Sequence, residues 1–127
     1  MTNTALNPTT VPGSPFYSQG IDVRDAGRLV FVSGQVGMTP TGEVPEGIEA
    51  QAVQAVANLN AVLEEAGLTS ASLVKVTIYL TDPADVGPFM GATGGTLPDP
   101  PPATTLLIVN ALASPELRVE IEGIAAS

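Results

Sequence analysis

From Ile48 onward, apolar residues recur at Ala52, Val56, Leu59, Leu63 and Ala66, in steps of 4, 4, 3, 4 and 3. That spacing places all of them on one stripe of an α-helix. The residues between them are Ala-rich with Gln and Glu, side chains that lose little freedom in a helix. Gly67 follows as the expected residue just past the helix end, where left-handed backbone carries no steric penalty. One helix is therefore predicted from Ile48 to about Ala66.

Period-two alternation takes over afterwards. In SLVKVTIYLTD (72–82), Val74, Val76, Ile78 and Leu80 share one face of a strand, and Lys75, Thr77 and Tyr79 share the other. LRVEIEGIA (117–125) is a second such strand, with Val119 and Ile121 on one face and Arg118, Glu120 and Glu122 on the other. RLVFVSGQV (28–36) is a third. It is entered from the turn RDAG, and it is expected to pair as a hairpin with a shorter strand in FYSQGIDV (16–23). GMTPTGEVPEG (37–47) is turn-rich and reads as a loop.

The stretch from Pro83 to Pro102 holds four glycines and six prolines. It allows only a short helix, over Ala84 to Met90, with Pro88 confined to the first turn. TTLLIVNAL (104–112) is then a strand entered through a stiff proline bracket, so Thr104 and Thr105 are presented at its mouth. The order is ββαβ(α)ββ. That order predicts an α+β fold, a mostly antiparallel sheet with helices packed on one face. No fixed-period repeat or internal boundary is visible, so residues 1–127 form one domain. Residues 1–15, polar and proline-rich, are expected to form a loose arm or edge segment.

Composition narrows the chemistry. Four Lys and Arg stand against thirteen Asp and Glu, a net charge of −9. A nucleic-acid footprint needs clustered cations, and Arg24, Arg28, Lys75 and Arg118 are scattered, so no nucleic-acid or anionic-membrane partner is expected. There is no Cys and no His, which removes thiolate chemistry, disulfides and the usual neutral-pH base and metal ligand. No secretory signal pattern and no run of about 18 apolar residues occurs, so a cytoplasmic protein is expected. Aromatic residues are only 4%, so the core is aliphatic, and oligomerisation would help bury what remains exposed.

The remaining candidates are few. Glu120 and Glu122 lie two apart on one strand face, either as a solvated face or with a carboxylate that orients a water at a subunit seam. Ser33, just before Gly34, can turn a hydroxyl to a ligand or make a plain strand-end hydrogen bond. Tyr17 offers a phenol over a pocket, or simply a satisfied buried hydroxyl. No phosphate-loop, dinucleotide, zinc-protease or nucleophile-elbow motif occurs.

Several segments together resemble one family. FYSQGI, LVFVSGQVGMTPTGEVPEGIEAQAVQAVANLNAVLEEAGL, LVKVTIYLTD, PPA before a strand and RVEIEGIA are similar, in order and spacing, to the RidA (YjgF) family over about residues 16–126. The resemblance implies a chorismate-mutase-like α+β fold, a homotrimer and three clefts between subunits. It implies hydrolysis of small enamines and imines, such as 2-aminoacrylate, to 2-oxo acids and ammonia, with no metal or organic cofactor. Tyr17, Ser33 with Gly34, and Glu120 match the family's cleft residues, Glu120 as the carboxylate that holds water.

The resemblance also exposes departures. Thr104 stands where deaminating members carry an arginine, Leu106 where a cysteine is common, and Met90 is the nearest counterpart of an asparagine. A guanidinium grips a carboxylate through paired charge-assisted hydrogen bonds, and a threonine offers one neutral hydroxyl. The expectation is a divergent enzyme. Glu120 would be catalytic, and Tyr17, Ser33, Gly34, Thr104 and Thr105 would bind a small imine- or enamine-type substrate. Arg118, on the face of Glu120, is the candidate to replace the missing cation unless the two simply pair. The alternative is a non-catalytic trimer that binds a metabolite in the same clefts.

Overall fold

The computed structural model describes residues 2–127. Helix α1 runs from Ile48 to Glu65 and ends as its sequence predicts, with Gly67 at φ 75°. Its buried stripe is Ile48, Gln51, Ala52, Ala55, Leu59 and Leu63. A 3-10 turn over Pro83–Asp85 leads into α2, Val86–Thr93. Pro88 sits in the first turn of α2, where its missing N–H costs nothing. Both helices lie on one face of a four-stranded sheet.

That sheet has strands β3 (Leu29–Val36), β4 (Leu73–Leu80), β5 (Ala103–Ile108) and β6 (Val119–Ala126), in the order β3-β6-β4-β5. β6 runs antiparallel to both β3 and β4, and β5 runs parallel to β4. The α+β architecture with helices on one face is as predicted. The core between helices and sheet is aliphatic, built on Leu59, Leu63, Val76, Ile78, Leu80, Val119 and Ile121, with Phe89 as the one buried aromatic ring among the described residues.

Two expectations change, and one alternative is decided. The N-terminal residues, expected as a loose arm or an edge segment, contain an edge strand, β1 (Thr2–Leu6), which pairs antiparallel with β2 (Gly20–Arg24) in a separate ribbon. β2 therefore does not form a hairpin with β3. Asp25 adopts φ 56°, and the N–H groups of Gly27 and Arg28 both donate to Ser127 O. The chain is thus delivered to the C-terminal strand, and β3 pairs with β6 instead. Within β4 a register shift between Leu73 and Lys75 buries Leu73 in the row expected to hold Val74.

Gln51 and Asn58 clasp α1 to the sheet. Buried Gln51 donates from Nε2 to Glu116 O at 2.9 Å and accepts from Arg118 N at 2.8 Å. Asn58 Nδ2 donates to Val36 O and Met38 O. These bonds fix the end of β3 and the start of β6, the two strands that carry Ser33, Gly34 and Glu120.

Candidate active site

Side chains alternate across a strand, so register decides which face each candidate serves. Val76 pairs with Thr104 and Ile78 with Leu106. Val76 and Ile78 are core residues, so Thr104 and Leu106 point to the helix side. Tyr79 pairs with Glu120 and Thr77 with Glu122, which places both carboxylates on the opposite, open face. Thr105 also belongs to that open face, where Lys75 Nζ donates to its hydroxyl at 2.6 Å. The two threonines of the proline bracket therefore serve different sides of the sheet.

On the helix side a cavity of about 300 Å³ opens between the sheet, α1 and α2. Tyr17, Phe16, Leu59, Phe89, Met90, Thr104 and Leu106 are among its walls, and none of its lining residues is charged. The prolines explain how Tyr17 reaches it. Pro101 and Pro102 have no N–H and present only carbonyls. Buried Ser18 donates its hydroxyl to Pro101 O at 2.6 Å and its N–H to Pro102 O at 3.2 Å. Thr104 Oγ1 donates to the same Pro102 O at 3.0 Å. Ser18 thus pins the segment bearing Tyr17 beside the first residues of β5.

On the open face Glu120, Glu122, Tyr79 and Gly34 line a shallow hollow with Val109, Ala111, Leu112 and Ala113. Ser33 and Gly34 lie at a register shift in the β3-β6 pairing, between Val32 and Gln35. The bulge leaves room that Glu120 uses: a Cβ at position 34 would stand 1.8 Å from Glu120 Oε2. The Tyr79 hydroxyl donates to Glu122 Oε1. That bond, with burial and the nearby charges of Glu122 and Glu120, raises the Tyr79 pKa above its ordinary value. Glu120 accepts no hydrogen bond among the described residues, so its oxygens are free for water or substrate.

Arg118 does not join Glu120. It forms a two-point ion pair with buried Asp85, at 3.0 and 2.7 Å, which ties the start of β6 to the turn before α2. The expectation that Arg118 supplies the missing cation, or pairs with Glu120, is therefore overturned. Its backbone stands just before β6, where its carbonyl accepts from Thr81 N.

A family model described as Endoribonuclease L-PSP matches residues 10–127. The chain belongs to this family, which includes RidA and YjgF. The solved structure of a Rid-family protein of unknown function from Yersinia pestis, YyfB, superposes with a TM-score of 0.88 at 33% identity, covering 100% of both chains. The chain is 48% identical over 73 residues to a RutC family protein of Aquifex aeolicus. It is 42% identical over 67 residues to the 2-iminobutanoate/2-iminopropanoate deaminase of Escherichia coli K12. These matches cover 57% and 52% of the chain, and 55% and 50% of those relatives. Among the described residues, no helix of this RidA-family chain is long and apolar enough to cross a membrane.

The RidA-family candidates thus divide in two. Tyr17 and Thr104 stand at the helix-side cavity; Gly34 and Glu120 share the open-face hollow, with Ser33 exposed beside it. Phe16, Ser18 and Phe89 are additions that the sequence reading missed. Ser18 carries no pattern of its own, and its role depends on carbonyls more than eighty residues away.

Proposed function

We propose that the protein hydrolyses a small imine or enamine in clefts shared between subunits of a homotrimer. The placement of the two residue groups on opposite faces of one sheet supports this reading best. The sheet stands between Glu120 and Thr104, so one copy cannot bring them to the same substrate. A neighbouring copy that lays its open face over the cavity mouth can. That face also has apolar surface to cover: Phe31 is 69% exposed, Leu29 53% and Leu107 47%.

In such a cleft an enamine first moves a proton from nitrogen to carbon and becomes an imine. Water then adds its oxygen to the imine carbon. Glu120 takes the proton released by that water and delivers it to nitrogen, giving a carbinolamine. Glu120 then takes the proton of the new hydroxyl and passes it to the nitrogen; as the C–N bond breaks, ammonia leaves with its electron pair and the carbon–oxygen bond becomes the carbonyl. Tyr17 and Ser33 hold the substrate by hydrogen bonds, and Gly34 leaves the carboxylate its space. Catalysis here consists of positioning plus one proton shuttle. The ribonuclease wording of the family description fits this chain poorly, because its four cations cannot neutralise a run of phosphates.

Ammonia release from freshly generated imines, with and without carboxylates, tests the proposal. Turnover that Glu120→Gln abolishes supports it. Ligand-induced stabilisation with no turnover of any imine assigns the protein to the non-catalytic alternative.

A further inference from the structure

We infer that the helix-side cavity takes a neutral ligand with an apolar body, not a 2-imino or 2-oxo carboxylate. The inference builds on the proposed cleft and names the class of molecule held in its cavity half. All four cations of the chain are accounted for elsewhere. Arg24 pairs with Asp22, Arg28 bonds Ala66 O, Arg118 is held by Asp85, and Lys75 bonds Thr105 on the far face. None of them lines the cavity.

In the proposed cleft, the open face of the neighbouring copy carries Lys75 well away from Glu120. On its open face Lys75 lies four residues along β4 from Tyr79, the register partner of Glu120. That is about 13 Å of extended strand. A Glu120 delivered to the cavity mouth therefore brings negative charge without a cation beside it. A carboxylate buried there would lose its hydration and gain no counter-charge. The net charge of −9 adds repulsion at longer range.

The walls indicate what does fit. Phe16, Leu59, Phe89, Met90 and Leu106 surround a volume of about 300 Å³, at the small end of ligand pockets. The polar groups are few and neutral. Tyr17 and Asn60 line the space, and their side chains make no hydrogen bond to another described residue. Thr104 spends its proton on Pro102 O, so its oxygen remains an acceptor toward the cavity. A ligand with one N–H or C=N group and an aliphatic or aromatic body matches this set.

Phenylacetamide and phenylacetate differ in charge at nearly constant shape, and calorimetry reads their binding without turnover. The expected result is binding of phenylacetamide at least tenfold tighter than phenylacetate. Thr104→Arg should raise phenylacetate affinity at least tenfold, and Leu106→Phe, which fills the cavity, should weaken phenylacetamide at least tenfold. Phenylacetate binding as tight as the amide, no binding of either probe, or amide binding unchanged in Leu106→Phe each overturns the inference. Ammonia release is read separately. Amide-selective binding without turnover of any imine removes the deaminase reading and leaves this one standing, while turnover with carboxylate-selective binding does the reverse.

Discussion

Glu120 occupies the space that a side chain at position 34 would need. The ideal Cβ at Gly34 falls 1.8 Å from Glu120 Oε2 and 2.7 Å from Cδ. The obstacle is the far end of a flexible side chain, so a substitution there moves the carboxylate and spares the backbone. Gly34→Ala is accordingly expected to lower the rate of ammonia release by tenfold or more, with a melting temperature close to wild type. A variant that keeps its rate would show that the observed carboxylate position is not the working one.

Glu120→Gln keeps shape and removes the proposed proton acceptor. General-base groups contribute roughly 10²- to 10⁴-fold, and a loss in that range is expected in kcat with KM little changed. Equal losses in Glu122→Gln would contradict the assignment, because Glu122 is already engaged by Tyr79.

The Arg118–Asp85 pair is structural in this chain. Asp85 is 3% exposed, and removing its partner leaves a buried charge with fewer bonds. Arg118 itself is partly in solvent, so Arg118→Gln is expected to cost about 1–3 kcal/mol. The check is a lower denaturant midpoint at unchanged slope. A midpoint equal to wild type would refute the contribution.

Tyr79 makes stability depend on alkaline pH. Its hydrogen bond to Glu122, then burial and the charges of Glu122 and Glu120, favour the neutral phenol in the folded state. The unfolded chain releases that proton near about pH 10. The contribution is therefore full below that value and is lost as pH rises through the higher folded-state pKa. Tyr79→Phe should remove the late-titrating tyrosinate absorbance and flatten the alkaline loss of stability. A Tyr79 step at or below the ordinary phenol value would contradict this.

Local pattern and long-range pairing were not equally legible in the sequence. Helix α1 could be read to its cap, because a stripe from Ile48 to Leu63 and a terminal Gly67 are local signals. Pro88 likewise forces its own place in the first turn of α2. The partner of β3 was not legible, since adjacency favours a hairpin with β2 while the fold joins β3 to the last strand. Thr104 and Thr105 are neighbours in sequence, and only the parallel register of β5 on β4 reveals which of them faces the cavity. Tyr17, Thr104 and Glu120 could each be named from motifs. Their separation by a sheet is a property of topology. Arg118 was misread for the same reason: its partner, Asp85, lies on another element.

The most direct test of the shared cleft is subunit complementation. Glu120→Gln disables the open-face half, and Leu106→Phe blocks the cavity half. If each cleft draws one half from each of two chains, mixing and reassembling the two inactive variants creates clefts in which both halves are intact. Random assortment sets this at roughly a quarter of the clefts. Recovery of ammonia release in the mixture, toward that fraction of the wild-type rate, is the predicted result. Mixed assemblies that form, as seen by mass spectrometry, yet stay as inactive as their parents would contradict it.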